Sequence, residues 1–297
     1  MGKALLIVNP YSGKKNGEII AKDIREKLEA QSYTCTTHVS KSIVSLQQFI
    51  SRTTLEDYTF IGLIGGDGTM HEFLNAALAK YQQIPVPIAL FPCGTGNAFN
   101  LDIGCTTIEE TLRRIFENKT SFVDVAQVQY SNKTLWSFNI LGCGLVAEIN
   151  QLAERLRLFG AARYNIASVV KLLSNPIAHY AIKTDTETFE GRYSFVLACN
   201  TRYTGKGMLM APHAQLNDGK FDVTIVQACS ALKLLMLFPK IFKGEHLTAD
   251  ILTYVQTSSL SVSSSKTKAA TNIDGEIKGE LPFSFTVHAN KIRVFVG

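Results

Sequence analysis

The sequence predicts an α/β domain built on a doubly wound parallel sheet, followed by a mainly antiparallel β-sandwich. Over the first third, apolar runs of strand length alternate with helical stretches, the pattern of right-handed crossovers in a sheet covered on both faces. Beyond residues 121–125 the strands succeed one another with turn residues between them. Two glycine-rich turns, Gly65-Gly66-Asp67-Gly68-Thr69 and Pro92-Cys93-Gly94-Thr95-Gly96-Asn97, each follow an apolar strand and open toward a helix. Glycine there lets the backbone bend sharply and approach another molecule closely.

The elements follow in order. Lys3–Asn9 reads as a strand and Gly17–Gln31 as a helix, with Ile20, Ile24 and Leu28 on one face. Tyr33–His38 is a strand, Ile43–Arg52 a helix, Phe60–Ile64 a strand, Met70–Lys80 a helix, Val86–Phe91 a strand and Ile108–Asn118 a helix. In such sheets ligands gather at the carboxyl ends of the strands. Asn9–Gly13, Gly65–Thr69 and Pro92–Asn97 fall there, and so does Ser40, whose hydroxyl can reach the same ligand. The second region reads as strands Val123–Tyr130, Leu135–Leu141, His179–Thr184, Ser194–Asn200, Phe221–Val226, Thr253–Val262, Lys268–Ile273, Phe283–Val287 and Ile292–Val296. Two helical stretches, Ala147–Leu173 and Ala231–Phe242, interrupt them.

Composition narrows the function. A chain of 297 residues suggests about two domains at roughly 100–200 residues each. Hydrophobic residues make up 46%, enough to bury real cores. A net charge of +5 favours an anionic partner such as a nucleotide or an acidic membrane surface. It is too small and dispersed for nucleic acid, and no aromatic and basic stripe suits a single strand. The six cysteines lack zinc or redox spacing and fit a reduced, cytoplasmic compartment. The N-terminal apolar run ends after about six residues, so it reads as a first strand rather than a leader. No apolar stretch approaches the roughly 20 residues of a membrane span, which leaves peripheral contact as the expected mode. The six histidines show no metal spacing.

Two amide-lined turns side by side in a parallel sheet form a cradle for a polyphosphate, and the first carries a carboxylate, Asp67, at its tip. That combination points to phosphoryl transfer. A Walker loop and a GxGxxG turn are both absent, which excludes a standard P-loop enzyme and a dinucleotide-binding dehydrogenase.

Asn9-Pro10-x-Ser12-Gly13, the Gly65–Thr69 turn with Glu72 and Asn75 behind it, and Pro92-x-Gly94-Thr95-Gly96-Asn97 together resemble the diacylglycerol kinase and sphingosine kinase superfamily. Met210-Ala211-Pro212 through Asp218-Gly219-Lys220-Phe221-Asp222, and the late turn Asp274-Gly275-Glu276, extend the resemblance over nearly the whole chain, in order. It implies an ATP-dependent lipid kinase that transfers the γ-phosphoryl group to a hydroxyl of diacylglycerol or a sphingoid base. Residues 1–122 would form the ATP-binding catalytic domain. Residues 123–297 would form a lipid-binding β-sandwich whose last strand packs back on the first domain, with the active site between the two. The nucleotide would meet Asn9, Pro10, Ser12, Gly13, Ser40, Gly65, Gly66, Gly68, Thr69, Glu72, Gly94, Thr95, Gly96, Asp274 and Gly275.

Asp67 and Glu276 are the two candidates for the base that deprotonates the lipid hydroxyl. The bland alternatives are an Asp67 that orients a magnesium-bound water and a Glu276 that is a solvated turn residue. Mg2+ is required by the chemistry. By resemblance a structural ion would use Gln215, Asp218 and the carbonyl of Lys220; the alternative is an ordinary Asn-Asp-Gly hairpin. The segment Glu154–Arg163 is similar to the basic helix and break of sphingosine kinases, which makes Arg157 and Arg163 phosphate clamps. Those enzymes place an aspartate where this chain has Asn150, and Glu148 is the nearest substitute for meeting a lipid amine. Apolar residues of the two helical stretches offer a wall for the lipid tail or a membrane-touching helix flanked by Lys233, Lys240 and Lys243; for most of them the alternative is ordinary core packing. A homodimer is left open. The rival readings are an NAD kinase, which shares a GGDGT turn, and a non-catalytic nucleotide- or lipid-sensing protein.

Overall fold

A computed structural model describes residues 2–94, 96–156, 159, 163–205, 207–264 and 269–297. The chain divides into two compact units, Met1–Asp124 with Ala289–Gly297, and Val125–His288.

The first unit runs β1 (Gly2–Val8), α1 (Ser12–Lys15), α2 (Gly17–Ala30), β2 (Tyr33–Val39), α3 (Ile43–Arg52), β3 (Phe60–Gly65), α4 (Asp67–Leu78), β4 (Ile88–Pro92), α5 (Ala98–Asp102) and α6 (Ile108–Phe116). The sheet order is β2-β1-β3-β4, with every pair parallel. Residues 289–297 extend it, since Val294 pairs parallel with Ile88. Ala4–Val8 and all of β3 are buried, as expected for strands covered on both faces. Ile24 and Leu28 of α2 and Leu112 and Ile115 of α6 pack into this core. Capping boxes start α3 at Ser42 and Ser45, and α6 at Thr107 and Glu110. Val8 lies opposite Ile64, and Gly65 opposite Pro92. This register brings the ends of β1, β3 and β4 to one edge and sets their three turns side by side.

The second unit is mainly antiparallel. From the middle of β5 (Thr120–Tyr130) it runs β6 (Lys133–Ser137), β7 (Ile140–Gly144), α7 (Leu145–Arg155), α8 (Arg163–Ser174), β8 (Ala178–Thr184) and β9 (Thr188–Cys199). Next come the short β10 (Tyr203–Thr204) and β11 (Met208–Leu209), then β12 (Phe221–Gln227), α9 (Ala231–Ile241), β13 (Leu252–Thr257), β14 (Ser259–Ser264), β15 (Ala270–Ile273), β16 (Glu276–Glu280) and β17 (Phe283–Phe295). The order β16-β15-β7-β9-β8-β14-β17 carries β12 and β13 off the far half of β9. Val196, Ala198, Val223 and Ile225 fill one core with Phe221 and Phe285. Leu145, Leu172, Leu234 and Ile241 pack helices α7 to α9 onto Phe195, Leu197 and Val226.

The fold class is as expected from sequence, and several elements differ in detail. The single strand expected over Leu135–Leu141 breaks into β6 and β7, because the amides of Phe138, Asn139 and Ile140 turn to the Asp274 carboxylate. The strand expected over Thr253–Val262 breaks at Ser258, whose N–H and hydroxyl both donate to Asp185. The helix expected over Ala147–Leu173 is two helices. The last two expected strands are one, β17, while β16 and the short helices α1 and α5 had no apolar periodicity to announce them.

His246 is buried in the core beneath α9, with Nε2 3.0 Å from the Met210 carbonyl oxygen. Burial pushes its pKa below the ordinary 6.5, and the bond to Met210 opposes this only in part. The neutral ring is therefore the stabilising form: its contribution is intact above about pH 6.5 and is lost as pH falls. Thermal melts between pH 7 and pH 5 should show Tm falling further in the wild type than in His246→Leu.

Candidate active site

The cradle is built where β1, β3 and β4 end. Asn9 leaves β1 with its N–H on the Ile64 carbonyl and its Oδ1 accepting from the Tyr11 N–H. Its amide nitrogen donates to Thr69 Oγ1 at 3.3 Å, and the Ser12 hydroxyl donates to the Asn9 carbonyl at 2.6 Å. The first and second turns are thus tied together by side chains. Pro10 completes the bend after β1, and Gly13 lies in α1. Ser40, just past β2, donates its hydroxyl to the Ser42 carbonyl.

The second and third turns meet backbone to backbone. A Cβ on Gly66 would lie 2.8 Å from the Gly94 Cα, and one on Gly94 would lie 2.6 Å from the Gly66 Cα. A Cβ on Gly65 would lie 2.1 Å from Thr69 Oγ1. These are the positions where glycine is required by space. Gly66 occupies the N-cap of α4 without a side-chain cap, so the first turn of α4, which includes Gly68, is suited to an anion. Asn97 adopts a left-handed backbone, φ 49°, and its side chain closes the third turn, accepting from the Gly94 N–H and donating to the Gly94 carbonyl. Gly96 is exposed; Thr95 lies outside the described residues.

Asp67 has a defined task in this arrangement. Its Oδ2 accepts from the Ala98 N–H at 3.0 Å and its Oδ1 from the Phe99 N–H at 3.4 Å. The carboxylate therefore caps α5 from the start of α4 and binds the second turn to the third. Glu72 follows on α4, half-buried.

The second unit carries the remaining candidates. Asp274 is buried and left-handed, φ 49°. Its carboxylate accepts from the Ser137 hydroxyl and from the amides of Phe138, Asn139 and Ile140, at 2.7 to 3.3 Å. Asp274 is thus a lock on the β6–β7 corner. Gly275 follows with φ 88°. Its N–H donates to Asn272 Oδ1 and its carbonyl accepts from the amide of the buried Asn150. Glu276 stands at the end of this braced turn, 43% exposed, with Oε2 2.9 Å from Lys278 Nζ.

Helices α7 and α8 are joined by ion pairs. Glu148 meets Lys171 at 2.9 Å, and Glu154 meets Arg163 at 3.5 Å. The guanidinium expected to clamp phosphate is thus paired within its own unit. Arg157 lies outside the described residues. In the Asn217-Asp218-Gly219 hairpin, Asp218 Oδ1 accepts from the Lys220 N–H at 3.0 Å while the Gln215 side chain is exposed. Among the described residues no three His, Cys, Asp or Glu side chains converge to hold a metal, so an ion there would rest on one carboxylate and neutral oxygens.

Leu172, Phe195, Met210, Leu234, Phe238 and His246 surround a cavity of about 30 Å³, the share of about one water molecule. Sequence reading placed Asn97 in the third turn without giving its side chain a task, and did not single out Asn139 or Asn272. An asparagine that ends a glycine-rich turn is a legible left-handed candidate; Asn272 accepts from Gly275 within its own turn, while Asn139 accepts from the distant Thr201.

Residues 3–128 match the Diacylglycerol kinase catalytic domain, and residues 139–296 match the YegS C-terminal NAD kinase beta sandwich-like domain. The chain belongs to the diacylglycerol kinase and sphingosine kinase superfamily of lipid kinases. It is 26% identical over 290 residues to "Diacylglycerol kinase" of Bacillus subtilis (strain 168), covering 96% of this chain and 93% of that one. The fold is similar to the crystal structure of a diacylglycerol kinase from Bacillus anthracis str. Sterne, at TM-score 0.80 and 22% identity, covering 100% and 97% of the two chains. It is also similar to an NAD kinase from Archaeoglobus fulgidus in complex with ATP, at TM-score 0.53 and 13% identity, covering 99% and 93%.

Asp274→Ala should strand the Phe138, Asn139 and Ile140 amides in the interior. At about 1–3 kcal/mol for each unpaired donor, urea unfolding should show a loss of about 3 kcal/mol or more. Gly94→Ala should push the second and third turns apart, and thermal melts should show a lowered Tm.

Proposed function

We propose that the protein is an ATP-dependent diacylglycerol kinase. The amides of the second and third turns, with Asn9, Ser12 and Thr69, hold the nucleotide phosphates. Asp67 keeps the turns in register and faces the cradle with a fixed negative charge, which suits a metal-bridged polyphosphate. Such charge-positioned amides supply the electrostatic stabilisation phosphoryl transfer needs. Glu276 takes the proton from the lipid hydroxyl. Its support is geometric: both Asp67 oxygens already accept amide hydrogens, whereas Glu276, although ion-paired with Lys278, is partly exposed on a turn braced by Asp274, Asn272 and Asn150.

The acceptor is a neutral lipid. The observation that carries this choice is at Asn150 and Glu148. The Asn150 amide is committed to the Gly275 carbonyl and bears no charge, and Glu148 is neutralised by Lys171. Neither offers a free anion to a sphingoid amine. Gln215, Asp218 and the Lys220 carbonyl are all hard oxygen donors, which fits Mg2+, and they would hold a structural ion at the hairpin. When bound at the phosphates, Mg2+ supplies positive charge to the polyphosphate.

The direct test is label transfer from ATP to diacylglycerol, sphingosine or NAD, offered in parallel. Label in phosphatidic acid is expected. Label in the sphingoid phosphate alone, or in NADP alone, overturns the acceptor, and nucleotide binding without transfer to any of them points to a sensor. Glu276→Gln should lower kcat by about 10²–10⁴-fold with nucleotide affinity unchanged. Asp67→Asn should instead weaken nucleotide binding as well, because the amide group cannot accept from both Ala98 and Phe99. The reverse pattern would assign the proton to Asp67.

A further inference from the structure

The sheet of the second unit has a face turned away from its core. Leu260 and Val262 of β14 are buried, and so are Phe283 and Phe285 of β17 and Ile182 of β8. Side chains alternate across a sheet, so the residues between and beside these stand on the opposite face. The register sets them next to one another. Ser261 lies opposite both Ser284 and Lys183, and Ser259 lies opposite Thr286. On the other side of β17, β5 adds Gln127 and Gln129. These side chains line an open groove of about 230 Å³, the share of about seven water molecules.

The chemistry of the groove is uniform. Its hydroxyls and carboxamides can each donate and accept, and those of Ser259, Ser261, Ser284, Thr286 and the two glutamines have no hydrogen-bond partner among the described residues. Lys183 is exposed, is the one charged residue among the described lining, and forms no ion pair among the described residues. The nearest acid along β8, Asp185, is committed to the Thr257 hydroxyl and to the N–H and hydroxyl of Ser258. A flat sheet face leaves such residues to water. A concave one lets several of them reach a single molecule.

We propose that this groove binds a small, water-soluble phosphate ester of a polyol. Lys183 meets the phosphate as a point charge, and the hydroxyls and carboxamides meet the polyol. Charge decides the anion: a lone ammonium among neutral groups that both donate and accept is complementary to a negative group carrying hydroxyls. Burial decides the soluble source. The apolar residues of the lining, Leu260 and Phe285, are each 2% exposed with their side chains in the core, so an acyl chain finds no apolar wall there. The same lack of exposed apolar side chains disfavours a second copy of the chain, whose contact would need a desolvated centre. The site goes beyond the kinase reading and does not rest on it.

Titration of the full chain with glycerol 3-phosphate, inorganic phosphate and glycerol tests it. Trp136, the single tryptophan of the chain, lies opposite Gln127 across β5 and β6, and its emission reports on the groove. Amide NMR shifts at Lys183, Ser261 and Ser284 report in parallel. Glycerol 3-phosphate should bind more tightly than either of the other two. Lys183→Ala should weaken it about ten-fold or more, the worth of a hydrogen bond to a charged group. Ser261→Ala/Ser284→Ala should bring its affinity down to that of inorganic phosphate. Thermal melts check that each variant is folded. Lys183→Gln replaces the first and the single serine variants replace the second where folding fails. Silence of these residues toward all three probes overturns the proposal, as does unchanged affinity in folded Lys183→Ala. Equal binding of the ester and inorganic phosphate overturns it too, since the polyol then adds nothing. Competition with ATP would put the ester in the cradle, and a preference for dioctanoyl phosphatidic acid over glycerol 3-phosphate would make the ligand a lipid; either result also overturns it.

Discussion

The contact between Gly66 and Gly94 is the constraint on which the cradle depends. The second and third turns come within backbone contact, and any side chain at either glycine would stand in that gap. Once the turns touch, the rest follows from satisfying their polar groups. Asp67 accepts the amides at the start of α5, Asn97 closes its own turn, and Asn9 reaches across to Thr69. A fixed arrangement of dipoles and charges costs no reorganisation when charge moves in the transition state, which is why such sites are rigid before the substrate arrives.

The second unit reaches rigidity by another route. A buried carboxylate is expensive unless it is fully hydrogen-bonded, and Asp274 meets that condition by drawing in Ser137 and three successive amides. The cost in sheet regularity is visible as the corner between β6 and β7. The gain is a turn whose next two residues are also held, Gly275 by Asn272 and Asn150, so that Glu276 projects from a fixed base. Within the Asp-Gly-Glu turn the buried acid is therefore held by the fold, and the outer acid is partly exposed beside Lys278.

The charges on α7 and α8 pair with one another. Glu148 and Arg163 sit where a sphingoid amine and a phosphate clamp were expected, yet each has an ion-pair partner across the helical hairpin. Among the described residues Lys240 and Lys243, at the end of α9, form no ion pair.

Much of this protein was legible in its sequence. Burial on both faces of β1 and β3 imposes unbroken apolar runs, capping boxes mark the starts of α3 and α6, and glycine and asparagine declare the turns, because each of these is a local requirement of the backbone. The motifs around Asn9, Asp67, Asn97 and Glu276 gave the family. The breaks at Phe138–Asn139 and Ser258, the task of Asp274 and the commitment of Asn150 were not legible. Each is decided by a hydrogen-bond partner many residues away, Asp274 for the first, Asp185 for the second, Ser137 for the third and Gly275 for the fourth. Only the folded chain determines which distant donor meets which acceptor, since a local pattern fixes the conformation of a segment but not the group it finally faces.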